Sequence, residues 1–263
     1  MKELDRSLYE QSVLLSTLLD LKGIDTCYRA GSLAAVKDFL SQNPNSFLTW
    51  PSLDLLEEHG YLDYPYGTTL NIQRFYRQHQ KIPVVSVKTQ LQKWALDFIE
   101  EYVAPHRAVV VHLKNNPRKP NGSNAKFDEW LAFFEASVDL HDVKFILIGN
   151  EEVDPRIRRL PNVLVTKNIG NSLAQDLALI QTSFAFLGMA SGPCNMAIFS
   201  NVPYVIYKHP NHHAEEMELE LGKGERFPFA TPRQKFKRVF ETCEDLKSEF
   251  AFLYSEQKMG KAK

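Results

Sequence analysis

The feature that most restricts this chain is a series of five short apolar runs between residues 107 and 207, at 108–113, 143–148, 163–166, 183–187 and 204–207. Each is rich in β-branched or aromatic residues and continuous rather than alternating. A strand needs that pattern when helices cover both faces of its sheet. Helical periodicity separates several of the runs. Residues 125–138 place Phe127, Trp130, Leu131 and Phe134 on one face, with Asp128 and Glu129 in the first turn, where the helix dipole favours anions. Residues 172–181 open on Ser172, a capping residue, and carry Leu173, Leu177 and Ile180. A short helix at 194–200 precedes Asn201-Val202-Pro203. Strand and helix in alternation predict an α/β fold with a doubly wound, Rossmann-like parallel sheet over residues 105–263.

Residues 1–104 predict a smaller, mostly helical α/β region. Leu4, Leu8, Leu15, Leu18 and Leu19 share one face of a helix over 2–22 that Gly23 stops. Ser32 caps a second helix to about residue 40, and a strand at 47–50 leads to a brief helix from Leu53 to near Gly60. The aromatic loop around Tyr61–Tyr66 offers a contact surface for a homo-oligomer or a partner subunit. A helix is expected over 69–80, and another over 89–103, where Leu91, Trp94, Ala95, Phe98 and Tyr102 line up before Pro105. The lysine-rich tail after Gln257 is expected to fray.

A formal net charge of -1 gives no bulk field to draw nucleic acid or an anionic membrane, and no apolar run approaches a membrane span. Cys27, Cys194 and Cys243 are far apart and odd in number, which suits a reducing compartment. The start Met-Lys-Glu-Leu-Asp-Arg lacks the apolar core of a signal peptide, so a cytoplasmic protein is expected.

Ligands of open parallel sheets bind beyond the carboxyl ends of the strands. Two such ends carry unusual sequences. Gly188-Met189-Ala190-Ser191-Gly192-Pro193-Cys194-Asn195 joins a strand to a short helix, so its glycines allow close backbone approach. The amides of Cys194 and Asn195 are expected to point outward to an anion, beside the Ser191 hydroxyl and Gly192. The run from His112 to Asn124 follows the first strand. Its Lys114 and Arg118 can neutralise phosphate, and Asn115 and Asn116 offer directional bonds. Gly149 and Glu151, after the second strand, stand where carboxylates accept ribose hydroxyls, although carboxylates there are more often ordinary solvent-facing charges. His209, His212, His213 and Glu216 form the densest imidazole and carboxylate cluster, fit for ligand contact, acid–base work or a metal, with a helix-capping surface loop as the alternative, although its spacing matches no zinc signature. Phe227 and Phe229 are read as core, with base stacking as the alternative. No Gly-x-Ser-x-Gly elbow, Walker loop or Gly-x-Gly-x-x-Gly fingerprint is present.

The cationic first loop, the Ser-Gly-Pro turn and the Val-Pro-Tyr strand together resemble the C-terminal half of glycosyltransferases of the GT-B fold, over residues 107–240. His112-Leu113-Lys114 is similar to the His-x-Arg segment of the fucosyltransferases in that fold, with Lys114 where those enzymes carry the arginine that holds the donor diphosphate. The resemblance implies a sugar transferase using a nucleotide-sugar as co-substrate with no other cofactor and no metal, acting on an unknown acceptor. Lys114, Asn115, Arg118, Gly149, Glu151, Ser191, Gly192, Cys194 and Asn195 would hold the donor, and His112, His212 or His213 would move the proton. Only about a hundred residues precede the domain, and the chain opens with a helix where GT-B chains open with a strand and glycine-rich turn. A non-catalytic nucleotide-sugar binding protein is therefore the first alternative, with an epimerase or hydrolase as the next.

Overall fold

The computed structural model describes residues 17–24, 32–43, 46, 72–73, 75–82, 84–117, 123–140 and 142–260. Six strands, β1 (Arg107–His112), β2 (Val143–Leu147), β3 (Val163–Val165), β4 (Ala185–Met189), β5 (Tyr204–Tyr207) and β6 (Gln234–Lys237), form one sheet in the order β3-β2-β1-β4-β5-β6. Every pairing is parallel. The helices are α1 (Leu33–Gln42), α2 (Thr89–Tyr102), α3 (Phe127–Ala136), α4 (Pro155–Arg158), α5 (Leu173–Thr182), α6 (Cys194–Ile198), α7 (Ala214–Glu220) and α8 (Cys243–Gly260). The expected doubly wound α/β sheet is the fold.

Alternate residues of each central strand enter different cores, which is why the runs are apolar throughout. Ala108, Val110, Ile146, Phe186, Tyr204 and Ile206 pack with α2, α5 and α6. Val109, Val111, Phe145, Leu147, Leu187 and Val205 pack with α3 and α8. On α3, Trp130, Phe133 and Phe134 are fully buried, each contributing roughly 2–3 kcal/mol of burial. Val87, Ala95 and Phe98 share the first core, so α2 belongs to the sheet although it lies before residue 104.

Several boundaries differ from the expected ones, for physical reasons. The strand expected at 183–187 runs from Ala185 to Met189, because Ser183 ends α5 and its Oγ donates to Ile180 O at 2.8 Å. Ser172 does cap α5, in a reciprocal box with Gln175. The helices expected at 125–138 and 194–200 are the shorter α3 and α6. β6 and α7 are not among the expected elements. Lys235 and Lys237 disguise β6, since their ammonium groups reach Glu249 and Asp245 of α8 while Phe236 enters the core. α8 continues to Gly260, past the point where fraying was expected.

Ser32 caps α1 as expected, accepting from Ala35 N at 3.2 Å. Of the helix expected over 2–22, residues 17 and 18 are helical before Leu21 bridges to Val87. Residues 72–73 and 75–79 are helical, and Gln73 Nε2 donates to Glu220 O at 2.6 Å, tying this part to α7. The readings at 47–50, Leu53 to Gly60 and Tyr61–Tyr66 lie outside the described residues. No helix among the described residues is long and apolar enough to cross a membrane.

β4 and β1 approach closely at Gly188. Gly188 pairs with His112, and a Cβ on Gly188 would press on the His112 backbone, 2.9 Å from its nitrogen. Backbone on both sides cannot yield as a flexible side chain would. Gly188→Ala is therefore expected to cost about 2 kcal/mol or more in chemical denaturation. Gly192→Ala, with open space at its Cβ, should stay within about 0.5–1 kcal/mol of the parent.

Candidate functional site

The strand order reverses between β1 and β4. The chain leaves β1 for α3 on one face and β4 for α6 on the other, so a crevice opens beyond their carboxyl ends. Both loops singled out in the sequence lie on this rim and touch: His112 Nδ1 is 2.9 Å from Ser191 Oγ. On its far side His112 Nε2 faces Glu151 Oε1 at 3.3 Å, and the imidazole is only 3% exposed. Segments following β1, β2 and β4 thus meet at one ring. Gly149, at φ +98°, makes that possible, because a Cβ there would lie 3.1 Å from His112 Cδ2 and Nε2.

Burial alone would raise the Glu151 carboxyl. The hydrogen bond and charge of His112, with the Glu151 and Asn150 amides, outweigh it and hold the group below its ordinary value. Behind them sits Asp176, in the first turn of α5 and buried, which the sequence reading missed. Burial pushes it up to about 6, against hydrogen bonds from Gly149, Thr166 and Asn171 and the charge of His112. Gly149 N donates to Asp176 Oδ2 at 3.0 Å. Thr166 Oγ1 lies 3.1 Å from Leu147 O and 3.2 Å from Asp176 Oδ1. A hydroxyl has one proton to share between the two acceptors, so Thr166 stabilises the Asp176 carboxylate only in part.

Cations gather on the crevice side. Lys114 follows β1 and Lys208 follows β5, both half-buried. Both act on the Cys194 thiol, which burial pushes up to about 11 and which the Ser191 contact and the two ammonium charges pull back. Burial lowers Lys208 and the like charge of Lys114 adds to this, while Glu220 and Glu216 oppose it. His212 falls to about 4 through partial burial and the charges of His213, Lys114, Lys208 and His209. Its Nδ1 is buried and has no hydrogen-bond partner among the described residues. Lys208 was legible by the rule that singled out Lys114, namely its place at a strand's carboxyl end.

Other expected site residues take different positions. The amides of Cys194 and Asn195 do not face outward, since they donate to Ser191 O and Gly192 O at 3.2 Å inside the turn. The Cys194 thiol is buried, and Asn195 Nδ2 donates to Gly192 O at 3.1 Å, so neither side chain reaches for a ligand. Gly192 is exposed at the turn's tip. Asn115 Nδ2 donates to Glu152 O at 2.9 Å, turning away from the crevice toward a cleft of about 470 Å³ with Phe127, Val153, Pro155 and Arg158. Arg118 lies outside the described residues.

The histidine cluster splits. His209 is buried against Glu241 at 3.0 Å, and Glu241 also accepts from Lys126 N at 2.7 Å and Trp130 Nε1 at 3.3 Å. His213, exposed at the start of α7, has Nδ1 3.6 Å from Glu216 Oε1. His209 thus parts from His212 and His213, whose rings stay in contact at 4.2 Å, and no group of three or more His, Cys, Asp or Glu among the described residues is arranged to hold a metal. Phe227 and Phe229 stack on each other at 5.4 Å, and Phe227 is buried in the core. A second concavity of about 360 Å³ includes Ser183, Phe184 and Pro203, which precede β4 and β5, at the opposite end of the sheet.

The raised Asp176 value has a measurable sign. Between about 3.8 and 6 the folded state binds the extra proton, so this stabilisation is complete at low pH and is lost as pH rises through 6. His212 acts oppositely, since its folded value lies below its ordinary 6.5 and stability rises with pH from about 4 to 6.5. Comparing Asp176→Asn with the parent cancels the His212 part. The parent should lose on the order of 2–3 kcal/mol relative to the variant between pH 4 and pH 7. A pH-independent difference in urea unfolding would remove this account of Asp176.

No protein-family model matches the chain, and no curated protein matches it by sequence. Solved structures do. The ADP-heptose lipopolysaccharide heptosyltransferase II of E. coli is 12% identical with a TM-score of 0.49, over 68% of this chain and 55% of that one. The family 9 glycosyl transferase of Veillonella parvula is 14% identical with a TM-score of 0.44, over 66% of this chain and 47% of that one. POFUT1 in complex with GDP is 11% identical with a TM-score of 0.33, over 81% and 69%. The chain thus spans about half the length of the first two, and the likeness is one of fold.

Proposed function

We propose that this chain holds the diphosphate of a nucleotide-sugar in the β1/β4 crevice and transfers the sugar to an acceptor. The observation that carries the reading is the placement of Lys114 and Lys208, just past the ends of β1 and β5, on the sheet rim that also holds the 191–195 turn. Two half-buried ammonium groups on one rim offer a polyanion favourable charge at low solvent screening. A diphosphate also matches the crevice's mix of cations with the Ser191 hydroxyl. The cleft beside Phe127, Val153 and Pro155 supplies the apolar wall a nucleoside base needs.

In the proposed reaction the bond from the anomeric carbon to a phosphate oxygen breaks and the acceptor oxygen bonds that carbon. The acceptor's proton leaves to a base, and negative charge grows on the departing diphosphate. Lys114 and Lys208 stabilise that charge electrostatically, which is the work a divalent metal does elsewhere, and we propose transfer without one. His212 is our choice of base over His213, because its Nδ1 is buried and unpartnered among the described residues. Its value of about 4 is low for a base at neutral pH, and a bound anion raises it toward that range. The scattered cysteines make the cytoplasm the compartment we assign.

Calorimetric titration with UDP, GDP, ADP and CDP tests the reading. One of them should bind below millimolar, and Lys114→Ala and Lys208→Ala should each weaken it roughly tenfold, about 1.4 kcal/mol. The reading fails if none binds and neither lysine matters. Binding with no release of free diphosphate to any acceptor would make the chain a binding protein. Rearranged sugar without an acceptor would make it an epimerase.

A further inference from the structure

We propose that Glu151, His112 and Ser191 form a proton relay that makes the Ser191 hydroxyl a donor only when an anion occupies the crevice, with Glu151 and His112 as positioning residues. This rests on the anion-binding reading above and assigns the three residues one joint role.

The geometry dictates the logic. Glu151 Oε1 lies 3.3 Å from His112 Nε2, and a carboxylate only accepts, so neutral His112 carries its proton on Nε2. Nδ1 is then a bare acceptor, 2.9 Å from Ser191 Oγ. The single hydroxyl proton of Ser191 must point inward to it, which leaves oxygen lone pairs toward the crevice. Those lone pairs repel a phosphate oxygen. If His112 takes up a proton, Nδ1–H donates to Ser191, and the hydroxyl proton is released to donate to the anion. One proton gained at His112 thus reverses the polarity of a hydroxyl that faces the ligand.

The groups around the ring support this switch. Glu151 faces it from the loop after β2, and Asp176 of α5 acts on it electrostatically from behind. Gly149 leaves no side chain between them. Lys114, two residues along from His112, and Lys208 beyond the turn supply the positive charge of the crevice side, which a bound anion offsets. With an anion bound, the row would alternate carboxylate, imidazolium and phosphate. A departing diphosphate would then be met by a hydrogen bond that strengthens as its charge grows.

Nitrogen-15 spectra of histidine-labelled full-length protein at pH 7.5, titrated with inorganic pyrophosphate, test the relay. His112→Asn assigns the ring signals, and Glu151→Gln, which displaces the Nε2 signal, assigns them if that variant does not fold. The free protein should show one protonated and one bare His112 nitrogen, and saturation should protonate both. Ser191→Ala should weaken pyrophosphate roughly tenfold and leave His112 neutral at saturation. The relay is overturned if saturating pyrophosphate leaves the parent's His112 signals unchanged, or if Ser191→Ala shows the same protonation. Binding without that response sinks the relay alone, whereas absence of binding sinks the anion site with it.

Discussion

The close approach of β4 to β1 governs the rest of this structure. His112 and Gly188 pair across the point where the strand order reverses, and the missing Cβ lets the two backbones meet. A larger residue would separate the two loops that leave the sheet there. The imidazole would then lose its place between Ser191 and Glu151. Fold and site share this single steric allowance, as expected where a parallel sheet changes direction.

Parallel pairing also explains how the charges assemble. Every strand ends on the same rim, so residues far apart in sequence, such as Lys114, Glu151, Ser191 and Lys208, arrive together. The rim is divided by sign. Carboxylates of Glu151 and Asp176 stand behind His112, while ammonium groups stand before the turn. Keeping Asp176 buried in the first turn of α5 is costly, and hydrogen bonds from Gly149 and Thr166 offset part of that cost.

The sheet was legible because each central strand is buried on both faces, which forces continuous apolar runs such as Val109-Val110-Val111. β6 was not, since its lysines satisfy their charge through side chains of a helix that no local pattern reveals. The two crevice loops stood out through glycine, serine and cationic residues at strand ends. What one-dimensional reading could not supply was direction. Nothing local says that Cys194 and Asn195 close their amides inside the turn, that Asn115 turns to Glu152, or that His209 leaves its neighbours for Glu241. Such choices depend on partners tens of residues away.

β6 has one more consequence. As the outermost strand beyond β5 it would ordinarily be a template on which a foreign chain could build. Lys235 and Lys237 are instead tethered to Glu249 at 2.8 Å each, and Lys237 also to Asp245 at 2.5 Å. Those charges are held on the face that α8 covers, and on the edge itself Phe236 N already donates to Glu225 O at 2.7 Å. The loop before β6 thus occupies part of the ladder a foreign strand would need, and continued β-pairing is disfavoured on this flank.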